Sequence, residues 1–210
     1  MEIAWLEIAD PPDLWREIGY VVDDDGRCII GGVEHRLLGP DAGSGMTGWV
    51  VSGIDPSIKE IDGIPTKVID LYETPPTPNH PNGVFRIDHL VVGTSSTPRT
   101  VQALTAVGLS QRGGRSTNSA GDNVDMTFFW VGDTLLELAG PAMSDPAGKP
   151  ASFRGVAYST DDLDATVNLL AHRSTTPVDA VQPGRRIAAL NKDAGSSVPM
   201  AFMTPHIRTQ

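Results

Sequence analysis

Two ionisable residues interrupt apolar strand patterns in this sequence at a spacing that could bring them together. His89 lies in the run Ile87-Asp88-His89-Leu90-Val91-Val92, and Glu137 lies 48 residues later in Leu135-Leu136-Glu137-Leu138. Imidazole and carboxylate groups are common general acids and bases, and both also bind divalent metals. A carboxylate beside an imidazole in a partly dry cleft fixes the tautomer of the ring. The pair therefore indicates either proton-transfer chemistry or a metal centre.

The alternative interpretation of these two residues is structural. His89 would be a buried histidine with satisfied hydrogen bonds, and Glu137 would pair with it or with an arginine. We favour the functional interpretation, because Glu137 is the other ionisable residue in an otherwise apolar strand and falls at a matched position of an internal repeat.

The repeat is a strand that occurs three times, at Ile3–Ile8, Ile87–Val92 and Phe153–Tyr158. Each copy is followed by a short helix signal, hairpin signals and a second apolar strand. The closing strands are 48–54, 135–141 and 200–205, so matched residues lie 45, 48 and 46 positions apart. A unit of this size cannot bury its own hydrophobic face and must stack on a copy of itself.

The repeat divides the chain into modules and linkers, and copies two and three are expected to pair directly. The predicted organisation is a degenerate module over 1–54, a proline-rich linker over 55–84, a module over 85–141, a linker over 142–152 and a module over 153–206. Within the first linker, the prolines of 74–83 predict a stiff extended stretch without regular structure.

The phrase Asp88-His89-Leu90-Val91-Val92, followed by Leu136-Glu137-Leu138, resembles the vicinal oxygen chelate superfamily, which includes glyoxalase I, extradiol dioxygenases and bleomycin-resistance proteins. The third copy, with Asp161-Asp162-Leu163 at its helix start, resembles the second module of that superfamily. The resemblance implies an α+β fold in which repeated βαβββ modules pair into a curved mixed sheet. It also implies a divalent metal on the concave face, held by a His and a Glu of each module.

Carried over to this sequence, the metal-ligand positions are His89 and Glu137 in the second copy. In the third copy they fall on Gly155 and Ala201, and in the first on Trp5 and Val50. Because glycine and alanine are small, we expect Gly155 and Ala201 to line a substrate cleft opposite His89 and Glu137. Trp5 and Val50 would fill their own face, so the first copy is interpreted as scaffold. Gly155 has an equally weighted alternative, a strand glycine that permits close backbone contact.

Two ligands are too few for a typical zinc or iron site. Three explanations remain open. A two-fold dimer could pair the second module with its own mate and supply four ligands, or His35, His80 or His206 could complete the site. Under the third explanation, no metal binds, and His89 and Glu137 form a hydrogen-bonded pair. The cofactor is thus one divalent ion (zinc, manganese, nickel or iron) or none.

Composition sets limits on partners and location. The net charge is −10 and the pI is about 4.8, which disfavours nucleic acid and anionic membranes as partners. The acidic N-terminus lacks the pattern of a secretory signal, and no apolar run reaches the length of a membrane span. Cys28 has no partner for a disulfide, so a reducing, cytoplasmic location is expected. A homodimer and a small-molecule ligand remain the expected partners.

We interpret two arginine pairs and three tryptophans as structural residues. Arg112 and Arg115 flank a pair of glycines, and Arg185/Arg186 follow a glycine. We interpret both pairs as solvated hairpin charges, with an anion pocket as the less favoured alternative. Trp15, Trp49 and Trp130 are expected in the core.

The sequence thus predicts a protein that acts on a small oxygenated molecule in a cleft, by lyase or isomerase chemistry that removes a proton next to a carbonyl. His89 or Glu137 would be the base, or both would be metal ligands. The alternative is a protein that binds and sequesters a small molecule without chemistry.

Overall fold

A computed structural model describes residues 1–73, 75–119, 122–143, 145 and 147–206. Two mixed sheets account for the strands. The first contains β1 (Glu2–Ile8), β2 (Arg27–Ile30), β3 (Val33–Leu37), β4 (Met46–Ser52), β5 (Glu60–Ile61) and β6 (Ile64–Ile69). The second contains β7 (Val84–Gly93), β8 (Gln111–Ser119), β9 (Asp122–Val131), β10 (Thr134–Pro141), β11 (Ser152–Thr160), β12 (Val178–Asp179), β13 (Arg186–Ala189) and β14 (Met200–Met203). The α-helices are α1 (Pro12–Glu17), α2 (Thr97–Ala106) and α3 (Leu163–Leu170).

The second sheet is built from two βαβββ modules, as predicted. Its strand order is β12-β13-β14-β11-β7-β10-β9-β8. The opening strands β7 and β11 pair antiparallel at the centre, and each has the last strand of its own module, β10 or β14, as a parallel neighbour. The fold class is therefore α+β with paired modules in one curved mixed sheet.

The helices cover one face of these modules. In α3, Asp162 caps the helix by accepting a hydrogen bond from the Ala165 amide at 3.0 Å. Ser96 stands at the N-cap of α2, but its hydroxyl instead accepts from the Asp145 amide at 3.0 Å. Leu104 is buried on the inner face of α2, and Leu163 and Leu170 are buried on that of α3.

The first sheet repeats the same plan with fewer strands. Its order is β2-β3-β1-β4-β6-β5, with β1 and β4 antiparallel at the centre and β3 and β6 as their parallel neighbours. β4 therefore opens a fourth, helix-free unit, and the prediction that it closes the first module was wrong. The strand parallel to β1 is β3, so the residue matched to Glu137 in the first unit is Arg36, not Val50.

The prediction that 55–84 is only a linker was also wrong. β5 and β6 form a hairpin in this segment around Asp62-Gly63, both of which have positive φ. Asp-Gly between apolar residues is a strong hairpin signal. Ile61 and Ile64 on either side are buried, which is the physical reason that the segment folds onto the core.

All four opening strands carry an extra residue at the same place. Register shifts isolate Ala4 in β1, Thr47 in β4, Asp88 in β7 and Arg154 in β11 as residues without a direct partner on the neighbouring strand. An extra residue of this kind is a β-bulge, which turns side chains out of strict alternation. The bulge is thus a structural feature of the repeat.

The two sheets meet in a continuous core around α1. Trp15 of α1 is fully buried, and its ring lies 6.5 Å from that of Tyr158 in β11. Asp10 fixes the junction, because its carboxylate accepts hydrogen bonds from Trp15 Nε1 at 3.1 Å, Ser196 Oγ at 2.6 Å and the Ser197 amide at 2.8 Å. None of the described helices is long and apolar enough to cross a membrane.

Two histidines are buried near this junction. His35 Nδ1 lies 3.1 Å from the Val33 carbonyl oxygen, and its ring packs 5.8 Å from that of Tyr158. His80 accepts from the Val21 amide at 3.0 Å through Nδ1 and donates to the Ile29 carbonyl at 2.9 Å. Burial lowers the pKa of His35 from 6.5 to about 4 and also lowers that of His80. Both histidines are therefore neutral in the folded protein near pH 7.

Acid should destabilise the fold through these histidines. Between pH 6.5 and 4 the unfolded chain binds protons that folded His35 does not, so stability is lost as the pH falls through this window. The shift of His35 alone corresponds to about 3 kcal/mol. Urea unfolding at the two ends of the window measures the difference. A His35→Gln variant should show a shallower pH dependence, and His172→Gln, at an exposed site, should not. Equal stability of the unmodified protein at both pH values would contradict the prediction.

Candidate functional site

The bulge in β7 places two neighbouring polar residues on one face of the second sheet. His89 pairs with Ala157 and Ile87 pairs with Tyr158, so Asp88 is the additional residue between them. Asp88 Oδ1 lies 3.0 Å from His89 Nδ1, and Asp88 Oδ2 accepts from Ser159 Oγ at 2.9 Å. In a regular strand Asp88 and His89 would face opposite sides of the sheet. The bulge therefore creates an Asp–His dyad.

The dyad has a defined tautomer. An ionised carboxylate only accepts hydrogen bonds, so His89 Nδ1 carries the proton that is donated to Asp88. In the neutral ring this leaves the lone pair on Nε2 available as a base or ligand. The His89 side chain is 16% exposed, so solvent or a small molecule can reach the ring.

A buried arginine holds Asp88 in place. The Arg185 guanidinium forms a two-pronged contact with the Asp88 carboxylate, and both side chains are only 2% exposed. Arg185 Nε also donates to the Thr204 carbonyl at 2.8 Å. Burial raises the pKa of the Asp88 carboxyl, but hydrogen bonds from His89, Arg185 and Ser159 together with the Arg185 charge outweigh it and hold the pKa well below its usual range. Asp88 is thus a fixed anion.

His206 and Gln182 complete this cluster. His206 Nε2 lies 3.2 Å from Arg185 Nη1, and Gln182 Oε1 accepts from the same nitrogen. Burial and the neighbouring Arg185 charge lower the pKa of His206. His206 is therefore a neutral acceptor for Arg185. Of the three additional histidines considered from the sequence, His206 reaches this region, whereas His35 and His80 lie in the core.

Glu137 lies on the same face but has a different partner. Leu135 pairs with His89 and Glu137 pairs with Val91, so the two predicted site residues are diagonal neighbours on adjacent strands. Glu137 Oε2 is 4.0 Å from Arg115 Nη2. Within the described part of the chain no hydrogen bond joins His89 to Glu137. Nδ1 of His89 donates to Asp88, and Nε2 carries no proton in the neutral ring, so it cannot donate to a carboxylate.

The register supports the matching of the second and third copies. An approximate two-fold axis between β7 and β11 exchanges the pair His89–Ala157 with the pair Gly155–Val91. Glu137 lies beside Val91 and Ala201 lies beside Ala157, so the same axis exchanges Glu137 with Ala201. His89 and Glu137 thus correspond to Gly155 and Ala201.

Gly155 serves a close backbone approach and does not open a void. A Cβ atom there would lie 2.7 Å from the Pro199 carbonyl oxygen, which accepts a hydrogen bond from the Val156 amide at 3.0 Å. The prediction that Gly155 provides space for a substrate was therefore wrong. Among the described residues that line the main cleft, neither Gly155 nor Ala201 is present.

The donor set does not fit a resident metal held by one chain. His89 and Glu137 are the only donors at the four matched positions, and the nearby cation Arg115 competes for Glu137. No group of three or more His, Cys, Asp or Glu suited to a metal occurs in the described residues. In this chain β7 has β11 and β10 as its neighbours, so neither of its edges is free to pair with β7 of a second copy.

A cleft of about 880 Å³ opens beside the dyad. Asp88 lines it, as does Leu135, the register partner of His89. The lining residues come from β7, β8, the β9–β10 hairpin and the C-terminal segment of the third module: Phe85, Arg86, Ile87, Asp88, Arg112, Phe128, Trp130, Asp133, Leu135, Gln182, Pro205 and His206.

Several residues that line or support the cleft differ from their sequence interpretations. Trp15 and Trp49 are in the core as predicted, but Trp130 is 48% exposed in the cleft. Arg185 is buried against Asp88, whereas its neighbour Arg186 is a solvated charge beside Asp164. One signal for the dyad was available, since Asp88 directly precedes His89, but in a regular strand the two side chains would face opposite sides of the sheet.

Comparisons with known proteins address the fold. No protein-family model matches the sequence, and no curated protein does. A triply substituted 4-hydroxymandelate synthase from Streptomyces coelicolor aligns over 100% of this chain and 94% of its own, with 14% identity and a TM-score of 0.66. Methylmalonyl-CoA epimerase from Mycobacterium tuberculosis aligns over 60% of this chain and 91% of its own, with 15% identity and a TM-score of 0.48.

These identities are too low to transfer an activity, but the full-length match agrees with the strand order described above. The chain has the fold of the vicinal oxygen chelate superfamily, as the sequence resemblance implied.

Removing the charge of Asp88 should destabilise the protein strongly. Asp88→Asn leaves the Arg185 guanidinium buried without a counter-charge, which typically costs about 3–5 kcal/mol. The matched control is Asp164→Asn, which removes the exposed partner of Arg186 and should destabilise the protein far less, because solvent screens that pair. Chemical denaturation of both variants measures the difference. Similar losses of stability for the two variants would show that the buried ion pair contributes no more to stability than the exposed one.

Proposed function

We propose that the cleft binds a small oxygenated molecule and that His89 transfers a proton on it, in a reaction of the lyase or isomerase type. The observation that carries the proposal is the dyad itself: a partly exposed histidine beside a cleft, oriented by a carboxylate that lines the cleft and that a buried arginine keeps ionised. Oriented histidines of this kind are effective general bases near neutral pH.

The chemistry follows from the positions of the protons. Asp88 accepts the Nδ1 proton of His89, so Nε2 takes a proton from the carbon next to a carbonyl group of the substrate. Asp88 then stabilises the imidazolium that forms. Gln182 and His206 line the same cleft and offer polar groups to the oxygen on which negative charge develops. Return of the proton to another face or atom gives an isomer, and loss of a neighbouring group gives a lyase reaction.

Glu137 has a secondary role in this proposal. It is diagonal to His89 on the same face and close to Arg115, so it can contact a substrate without acting on the His89 ring. No step requires a metal. A metal-assisted reaction, in which His89 and Glu137 are ligands, is the variant implied by the resemblance, and it predicts that a chelator stops the reaction.

The second candidate is binding without chemistry. It is favoured by the aromatic lining of the cleft, since Phe85, Phe128 and Trp130 offer contact area for a ligand without reacting with it. Under this alternative, substitution of His89 weakens ligand affinity no more than substitution of a residue that lines the cleft.

Exchange of carbon-bound hydrogen in D₂O tests the proposal. A panel of small carbonyl compounds with an acidic neighbouring C–H is incubated with the protein, and loss of the C–H signal is followed by NMR. His89→Gln should slow exchange by about 10²–10⁴-fold, the usual contribution of a general base. Glu137→Gln should have a smaller effect, and His172→Gln, at an exposed site outside the cleft, should have none.

The outcomes separate the alternatives. Ligand binding without exchange supports the sequestering protein. Exchange that is equally fast in His89→Gln refutes His89 as the base. Exchange that stops after treatment with a chelator and returns with one divalent ion supports the metal-assisted variant.

A further inference from the structure

The aromatic side chains of the cleft are exposed where the rest of the protein buries such groups. Trp130 is 48% exposed, whereas Trp15 and Trp49 are at most 1% exposed. Trp130 and Phe128 alternate along β9 and face the cleft together. Exposed aromatic surface that is concentrated in a concave site commonly marks a binding surface. A flat apolar group could stack on this wall.

Two cationic side chains border the same wall. Arg86 and Arg112 both line the cleft, and the ion pairs found in the described residues include neither of them. The other contacts of Arg86 are weak: its Nε lies 3.4 Å from Ser159 Oγ, and its guanidinium carbon lies 5.7 Å from the centre of the Phe85 ring. Both guanidinium groups are therefore available to an anion.

The charges beneath the wall do not cancel these two cations. Asp88 is already neutralised by the buried Arg185, so the remaining lining charges are Arg86, Arg112 and the single anion Asp133. The cleft is locally positive in a chain whose net charge is −10. Such a concave positive site attracts anions in spite of the overall charge.

We propose that the cleft selects flat apolar anions, meaning molecules with an aromatic or conjugated body and a carboxylate or phosphate group, and that Arg86 and Arg112 are the residues that select the charge. The apolar body lies against Trp130 and Phe128. A volume of about 880 Å³ accommodates a molecule of two or more rings. That such anions are also the substrates rests on the proposed function, whereas their binding follows from the residues that line the cleft.

Calorimetric titration with matched probes tests the charge selection. The probes are 2-naphthoate, 2-naphthyl phosphate and the neutral 2-naphthamide. At least one anion should bind ten times or more tightly than the amide, a difference of about 1.4 kcal/mol. Its affinity should also fall as salt concentration rises. The comparison of the two anions identifies whether the site prefers carboxylate or phosphate.

Substitutions assign the selection to residues. Arg86→Gln and Arg112→Gln should each reduce the preference for the anion by fivefold or more and leave amide affinity unchanged. Arg186→Gln is the matched control, because Arg186 lies outside the set of cleft residues and pairs with Asp164. Trp130→Ala should weaken all probes together, and circular dichroism confirms that each variant is folded.

Three results would overturn the proposed anion selection. Equal affinity of the amide and both anions would refute it. So would the absence of binding by all three probes, or an anion preference that survives both arginine substitutions. Ligand binding and hydrogen exchange are measured separately, and this separates the two proposals. Arginine-dependent binding without hydrogen exchange in any compound refutes the proposed reaction alone, whereas exchange confined to neutral compounds refutes the anion selection alone.

Discussion

The candidate site depends on one buried ion pair, that between Asp88 and Arg185. A buried arginine without a counter-charge is costly, so the position of Arg185 requires Asp88 to be ionised and aimed inward. The same carboxylate orients His89, and Ser159 satisfies one of its remaining lone pairs. Because Arg185 precedes β13 and also binds the Thr204 carbonyl, the pair joins the second module to the end of the third. The direction of the histidine is thus set by the packing of two modules, not by local sequence alone.

The β-bulge that makes the dyad possible is a general feature of the repeat and is not specific to the dyad. All four opening strands have the extra residue, at Ala4, Thr47, Asp88 and Arg154. The following positions hold Trp5, Gly48, His89 and Gly155, so one backbone feature carries four different side chains. In the first unit Trp5 instead stacks under Arg36 at 3.6 Å, and that face holds an ion network around Glu34. Position-specific side chains on a shared backbone explain why the repeat predicts the fold well and the chemistry poorly.

The sequence predicted what depends on periodicity. The modules around β7 and β11, their pairing and the correspondence of His89 and Glu137 with Gly155 and Ala201 follow from apolar alternation and spacing. Features that break periodicity were missed. The bulge at Asp88 violates the alternation rule, and β4 was assigned as a closing strand because its distance from β1 resembled the module period. The Arg185 contact joins residues 97 positions apart, which no local pattern encodes. The Asp62-Gly63 turn is a local hairpin signal, but the prediction of a linker over 55–84 was based on the prolines that follow it and did not use this signal.

Stability and function are coupled at Asp88, and this limits how the site can vary. A substitution that removes the carboxylate frees the Nδ1 proton of His89 and at the same time strands Arg185 in the core. Loss of activity in such a variant would not by itself assign a catalytic role, because the folded population would also fall. His89, by contrast, is partly exposed and donates to one oxygen of Asp88, so its removal leaves the ion pair with Arg185 and the hydrogen bond from Ser159 in place. The chemistry of the site can therefore be varied at position 89 while position 88 is held constant by the fold.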